Sequence, residues 1–150
     1  MTTVTTRKTI QAPAERVWEL ATDIPGSAQT ISGINRIEML SEGGFGPGTR
    51  WRETRTMFGR EATEEMWVTE VDPGRAYTVE ADSHGAHYVS TFTFTALGPQ
   101  QTEVVLDFGG QPHGTVAKVL AKVTGPVASR SVAKALQQDL DDLAAAAERT

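Results

Sequence analysis

No cysteine occurs among the 150 residues, which excludes a disulfide framework, a thiolate nucleophile and any sulfur-ligated metal. Positive charge is in short supply as well. Fourteen lysines and arginines stand against 19 acidic residues, for a formal net charge of −5. No basic stripe is left to meet nucleic-acid phosphates. The longest apolar runs fall far short of a membrane span. Met1 to Ile10 is rich in threonine and holds no apolar run, so no secretory leader is expected and the expected location is cytoplasmic. Of three histidines, His84 and His87 straddle a turn and His113 lies far off. Without cysteine, or a carboxylate at fixed helical spacing, they make no metal set. No Gly-X-Ser-X-Gly elbow supports triad hydrolysis. Gly43 to Gly48 is glycine-rich, but no helix start or Lys-Ser/Thr pair follows it, so it is no phosphate cradle. It reads as a hairpin loop carrying Phe45 over a cavity mouth, or as a plain turn. No cofactor is implied.

What is present suits one domain of 150 residues, with 39% hydrophobic and 22% charged residues. A chain of this size buries roughly two thirds of its unfolded surface. From Thr115 to Arg149 apolar residues recur at helical spacing: Val116, Val119, Leu120, Val123 and Val127, then Leu136, Leu140, Leu143 and Ala147. That pattern predicts one long amphipathic helix, disturbed at Gly125-Pro126, where proline removes a donor and crowds the preceding turn. Such a helix needs an apolar partner surface.

The rest of the chain supplies it. Val4–Ile10 reads as a strand, and a helix starts at Pro13 and ends near Asp23 before Pro25-Gly26. Residues 27–33 read as a second short helix or a loop. Six alternating segments follow: Ile34–Leu40, Thr49–Phe58, Arg60–Val71, Ala76–Asp82, Ala86–Leu97 and Thr102–Gly109, each closed by Gly, Pro or Asp turn residues. This is an antiparallel meander. The expected fold class is α+β, in which a curved sheet of about seven strands, in β-α-α-β6-α order, grips the C-terminal helix.

Four stretches carry a family resemblance: Ile10-Gln-Ala-Pro-Ala-Glu-Arg-Val-Trp18, Gly48-Thr-Arg-Trp51, Glu70-Val-Asp-Pro-Gly-Arg75 and Phe92-Thr-Phe-Thr95, with Leu140 to Glu148 ending the final helix. In order and spacing the whole chain resembles the START-like (SRPBCC) helix-grip superfamily, with its pollen-allergen-like and polyketide cyclase/dehydrase members. The resemblance implies a hydrophobic cavity between sheet and final helix, for a lipid, sterol-like, polyketide or hormone-like molecule.

Strand parity nominates the cavity wall. Tyr88, Ser90, Phe92 and Phe94 share a face opposite three threonines, and burying a phenylalanine gains about 1.5–3 kcal/mol, which sets that face inward. Tyr77, Leu106 and Phe108 join it on neighbouring strands. If Trp51 and Met57 point inward, period two carries Glu53 and Arg55 with them. These charges are then the polar anchor of a ligand, an acid–base pair, or a structural ion pair. Val68 and Val71 break parity, which predicts a bulge and leaves Trp67 as a cavity candidate. Val116, Leu120 and Val123 would line the helix side. Catalytic candidates are Glu53, Arg55, Tyr88 and His87, the last read either as a cavity-rim group or as a solvated turn histidine.

Three functional readings follow from these residues. The first is a binding protein for a small hydrophobic, ring-containing molecule, acting as a monomer or homodimer. The second is a polyketide cyclase/aromatase-type enzyme working by acid–base chemistry in the same cavity. The third is a non-catalytic interaction domain with a filled core.

Overall fold

Alternating β-branched and polar residues, cut by turn residues at short intervals, leave the middle of the chain little choice but an antiparallel meander. The computed structural model describes residues 2–57, 59–83, 86–112 and 126–149. Its elements run β1 (Thr2–Ile10), α1 (Ala14–Thr22), a 3-10 turn (Ile24–Gly26), α2 (Ser27–Thr30), β2 (Ile34–Met39), β3 (Arg50–Met57), β4 (Arg60–Asp72), β5 (Ala76–Ser83), β6 (Ala86–Gly98), β7 (Gln101–Pro112) and α3 (Pro126–Ala147). Gly74 closes the β4–β5 hairpin at φ 78°, a backbone that favours glycine.

All seven strands form one antiparallel sheet in the order β1-β7-β6-β5-β4-β3-β2. The first strand therefore returns beside the last, and α1 with α2 carries the chain from one sheet edge to the other. The expected bulge in β4 is present between Val68 and Glu70.

Helix α3 lies against the inner face of this sheet. Leu140, Leu143, Ala144 and Ala147 join Ile10, Val17, Trp51, Val68, Tyr77, Val79, Phe94, Val104 and Leu106 in the buried core. Polar ties hold both flanks of the helix. Toward β1, Lys8 Nζ meets Asp141 Oδ1 at 3.2 Å, and Gln137 Nε2 donates to the Arg7 carbonyl at 3.2 Å. Toward β2 and β3, Ser32 donates from its backbone N–H and its hydroxyl to Asp142 at 2.9 and 2.7 Å. The orphan carbonyls at the helix end are met by Arg16 of α1, which donates to Ala147, Ala146 and Arg149 at 2.7, 3.1 and 3.0 Å.

The α+β helix-grip fold expected from the sequence is thus the fold observed. The expected disturbance at Gly125-Pro126 and the apolar positions from Val116 to Val123 lie outside the described residues, as do His84 and His113.

Candidate functional site

The sheet register decides which side chains look at the helix. Trp51 pairs with Met66 and Glu53 with Glu64, Met66 with Ala81, Ala81 with Tyr88, and Tyr88 with Gly110. Directly paired residues share a face, so Trp51, Glu53, Arg55, Tyr77, Tyr88, Phe92, Phe94, Leu106 and Phe108 all lie on the concave side. Met57 follows the same parity on β3, but its side chain is outside the described residues, as are Val116, Leu120 and Val123.

The cavity placement of Trp67 is corrected, and of the two readings of His87 the cavity-rim one falls. Trp67 pairs with Glu80 and His87 with Asp82, both on the convex face. The reason is the position of the bulge. It falls after Val68, so Met66 keeps the inward parity and Trp67 is turned out. On that outer face Arg50 stacks over Trp67, with its guanidinium 4.8 Å from the ring centre. The His87 ring nitrogens meet Asp82 and Glu80, both at 2.6 Å. Hydrogen bonding to Asp82, then to Glu80, raises the His87 pKa.

The concave face has a filled end and a more open one. At the filled end Trp18, Phe45, Tyr77 and Phe94 interlock, with Trp18 edge-on to Phe94 at 5.2 Å and Phe45 edge-on to Tyr77 at 5.1 Å. Phe45 thereby seats the glycine-rich loop on the core. Tyr77 is buried and its hydroxyl donates to the Ala21 carbonyl at 3.4 Å. Burial, with Glu53 nearby, pushes its pKa far up. Farther along, Tyr88, Phe92 and Phe108 are only half-buried. Tyr88 stacks on Phe108 at 5.4 Å and covers Gly110, where an added Cβ would lie 3.1 Å from its ring.

A chain of charges crosses from sheet to helix. Trp51 Nε1–H donates to Glu53 Oε1 at 3.3 Å. Arg55 donates to Glu53 Oε2 from Nε at 3.0 Å, and its Nη2 lies 2.9 Å from the same oxygen. Its Nη1 meets Asp139 Oδ2 of α3 at 3.1 Å. Burial works against the guanidinium charge, but Glu53 and Asp139 more than offset it and raise the Arg55 pKa. Asp139 shows the opposite balance. Desolvation outweighs Arg55 and pushes its pKa up to about 6. An open cleft of about 430 Å³ runs past this pair, lined by Ser32, Gly33, Thr56, Ser131, Lys134 and Gln138 among others. Chemically, the arrangement offers a fixed cation and a carboxyl that exchanges its proton near neutral pH.

Asp139 and Glu64 were missed from sequence. Asp139 could have been found, because it stands three residues after Leu136 and four before Leu143, on the buried stripe. Glu64 could not, since its parity depends on where the β4 bulge falls. Glu64 is half-buried and pairs directly with Glu53 across β3 and β4, and its carboxylate has no hydrogen bond or ion pair among the described residues. Thr6 is a third polar group on this face, in line with Leu106 and Phe92. It is 7% exposed, and its hydroxyl has no hydrogen-bond partner among the described residues.

Among the described residues no group of three or more His, Asp or Glu side chains is arranged to hold a metal, and no helix is long and apolar enough to cross a membrane. The fold is shared with solved structures. The Zhui aromatase/cyclase from Streptomyces sp. R1128 superposes with a TM-score of 0.80 at 25% identity, over 99% of this chain and 94% of that one. A START superfamily protein from Mycobacterium smegmatis gives 0.81 at 17% identity, over 97% of both chains. Major latex-like protein 151 from Panax ginseng gives 0.79 at 13%, over 99% and 98%. No curated protein matches in sequence. The model of the family described as polyketide cyclase / dehydrase and lipid transport matches residues 1–148, and the chain belongs to that family.

Proposed function

We propose that this protein binds a small apolar, ring-containing molecule between the concave face of the sheet and α3. The observation that carries the reading is a set of half-buried aromatics lying beside closed core residues on one face. Tyr88, Phe92 and Phe108 keep accessible surface while Trp51, Tyr77, Phe94 and Leu106 beside them are closed. A flat apolar ring laid on the Tyr88–Phe108 stack gains burial and offset stacking together. Binding sites of this kind are apolar with a few polar anchors, and Glu53–Arg55–Asp139 borders the same face. The lipid transport named in the family description supports it.

The test uses 2-methoxynaphthalene, a neutral ring without a hydrogen-bond donor. It should raise the melting temperature of the folded protein in a concentration-dependent way through linkage. Gly110→Ala, whose Cβ would crowd the Tyr88 ring by a few tenths of an ångström, should weaken that shift. No shift at saturating probe, or binding only to thermally loosened protein, would return the chain to the filled-core reading.

A second reading, acid–base cyclisation of a poly-β-ketone, has one observation of its own. Asp139, with its pKa near 6, stands beside a fixed guanidinium, a pairing suited to moving a proton at neutral pH. If it is right, Asp139→Asn removes turnover of such a substrate and leaves its binding within about threefold.

A further inference from the structure

A carboxylate on an apolar, partly closed face has to be compensated. The carboxylates of the site follow that rule, and so do two at the rim of the helix. Glu53 takes Arg55 and the Trp51 indole, Asp139 takes Arg55, Asp141 takes Lys8 and Asp142 takes Ser32. Glu64 does not. It stands directly opposite Glu53, where a like charge is unfavourable, and among the described residues the cation paired with Glu53, Arg55, is already shared with Asp139. Its field reaches Tyr88, whose phenol is held up first by burial and then by Glu64. On the same concave face the buried Thr6 hydroxyl is likewise without a partner among the described residues. Among the described residues two unmatched polar groups, one on β1 and one on β4, thus flank the half-buried aromatics of the concave face.

We infer that Glu64 is the polar reader of the site: it accepts a hydrogen bond from a donor, a hydroxyl or an ammonium, carried by the apolar ring compound. This rests on the ligand-binding reading above and adds which chemistry the ligand's polar end must have. A ligand bearing a carboxylate there is disfavoured, because it would face both Glu64 and Glu53.

Matched naphthalenes test it, by titration against wild type, Glu64→Gln and Glu64→Leu. Wild type should bind 2-naphthol, which has a donor, at least about tenfold tighter than 2-methoxynaphthalene, as expected for a hydrogen bond to a charged acceptor. 2-Naphthoate should bind weakest. In Glu64→Leu the naphthol preference should shrink to about twofold, with 2-methoxynaphthalene affinity little changed. A 2-naphthylmethylammonium arm identifies the donor. Glu64-dependent binding stronger than naphthol's assigns a cationic ligand, and weaker binding assigns a neutral hydroxyl. A ligand-free readout accompanies it. Glu64→Gln removes like-charge repulsion and should raise the melting temperature by about 1–4 °C.

Equal binding of both neutral probes by wild type leaves the binding reading standing and overturns the role of Glu64. So does a naphthol preference that survives in Glu64→Leu. Binding of no probe at all removes both. A lowered melting temperature in Glu64→Gln also overturns it, by revealing a structural partner.

Discussion

Arg55→Ala is the most informative perturbation of this fold, because one side chain compensates two buried acids on different elements. Side-chain exposure is 19% for Arg55, 9% for Glu53 and 20% for Asp139, so solvent can relieve little of what the substitution leaves behind. Removing one member of a buried ion pair typically costs about 3–5 kcal/mol. Glu53 retains the Trp51 indole as a donor, whereas Asp139 keeps no hydrogen-bond donor among the described residues. The lower end is therefore expected, about 3 kcal/mol at pH 7.5, or a melting temperature lower by roughly 6–12 °C for a chain of this length.

The loss should depend on pH in a defined direction. The folded-state pKa of Asp139 is raised to about 6 from 3.8. Its contribution to stability is therefore complete below the unfolded value and is lost as pH rises through 6. Without Arg55 the carboxyl takes a proton still more readily, so at pH 5 the penalty should fall to about half. Urea unfolding of wild type, Arg55→Ala, Asp139→Asn and the double variant at pH 5.0 and 7.5 reads this out as a thermodynamic cycle. A penalty below about 1 kcal/mol at pH 7.5 refutes the reasoning, and so does one that grows on acidification.

Two other expectations are independent of the site. Arg16→Ala strips the donors from three carbonyls at the end of α3, so stability should fall by about 1–2 kcal/mol and amide exchange should accelerate in the last turn of the helix. A melting temperature within 1 °C of wild type, roughly the scatter of a thermal scan, would show that water replaces Arg16. His87, raised by Asp82 and then Glu80, contributes stability that is present below its ordinary value and lost as pH climbs through the raised one. His87→Gln should therefore flatten the stability profile above the ordinary histidine value of about pH 6.5, by less than about 1 kcal/mol because the pair is partly exposed. An unchanged slope would mean the histidine is neutral there.

The strand meander and the gripping helix were legible because each rests on a local signal. Alternating residues between turn residues mark β3 to β7, and the Leu136, Leu140, Leu143, Ala147 stripe marks the buried face of α3. The inward placement of Glu53 and Arg55 followed from Trp51 by parity alone. What parity cannot see is a bulge inside a long strand. A slip of one residue reverses every later side chain, and in β4 the difference between a bulge before and after Val68 separates an inward Trp67 from the outward one observed. The cavity-rim reading of His87 also fails on parity. It neighbours the inward Tyr88, so period two already turns it outward, toward acids on β5 that sequence spacing does not reveal.

The geometry of α3 explains why one aspartate among three behaves differently. Successive residues turn by about 100° around a helix. On that wheel Leu136, Leu140, Leu143 and Ala147 cluster about the direction of the core. Asp139 falls roughly 70° to one side, Asp142 roughly 130° to that same side, and Asp141 about 130° to the other. The two outer positions point at the sheet edges, where Lys8 and Ser32 meet them in water. Burial works against the Asp142 charge, yet the hydrogen bonds from Ser32 and Gln138 keep its pKa below the ordinary value. The inner position turns Asp139 toward the apolar stripe, where desolvation prevails even with Arg55 in contact. One turn of helix thus fixes its own rotation by reaching both edges of the sheet. It holds Asp139, the carboxyl in which desolvation prevails, where the cleft, the guanidinium and the concave face meet.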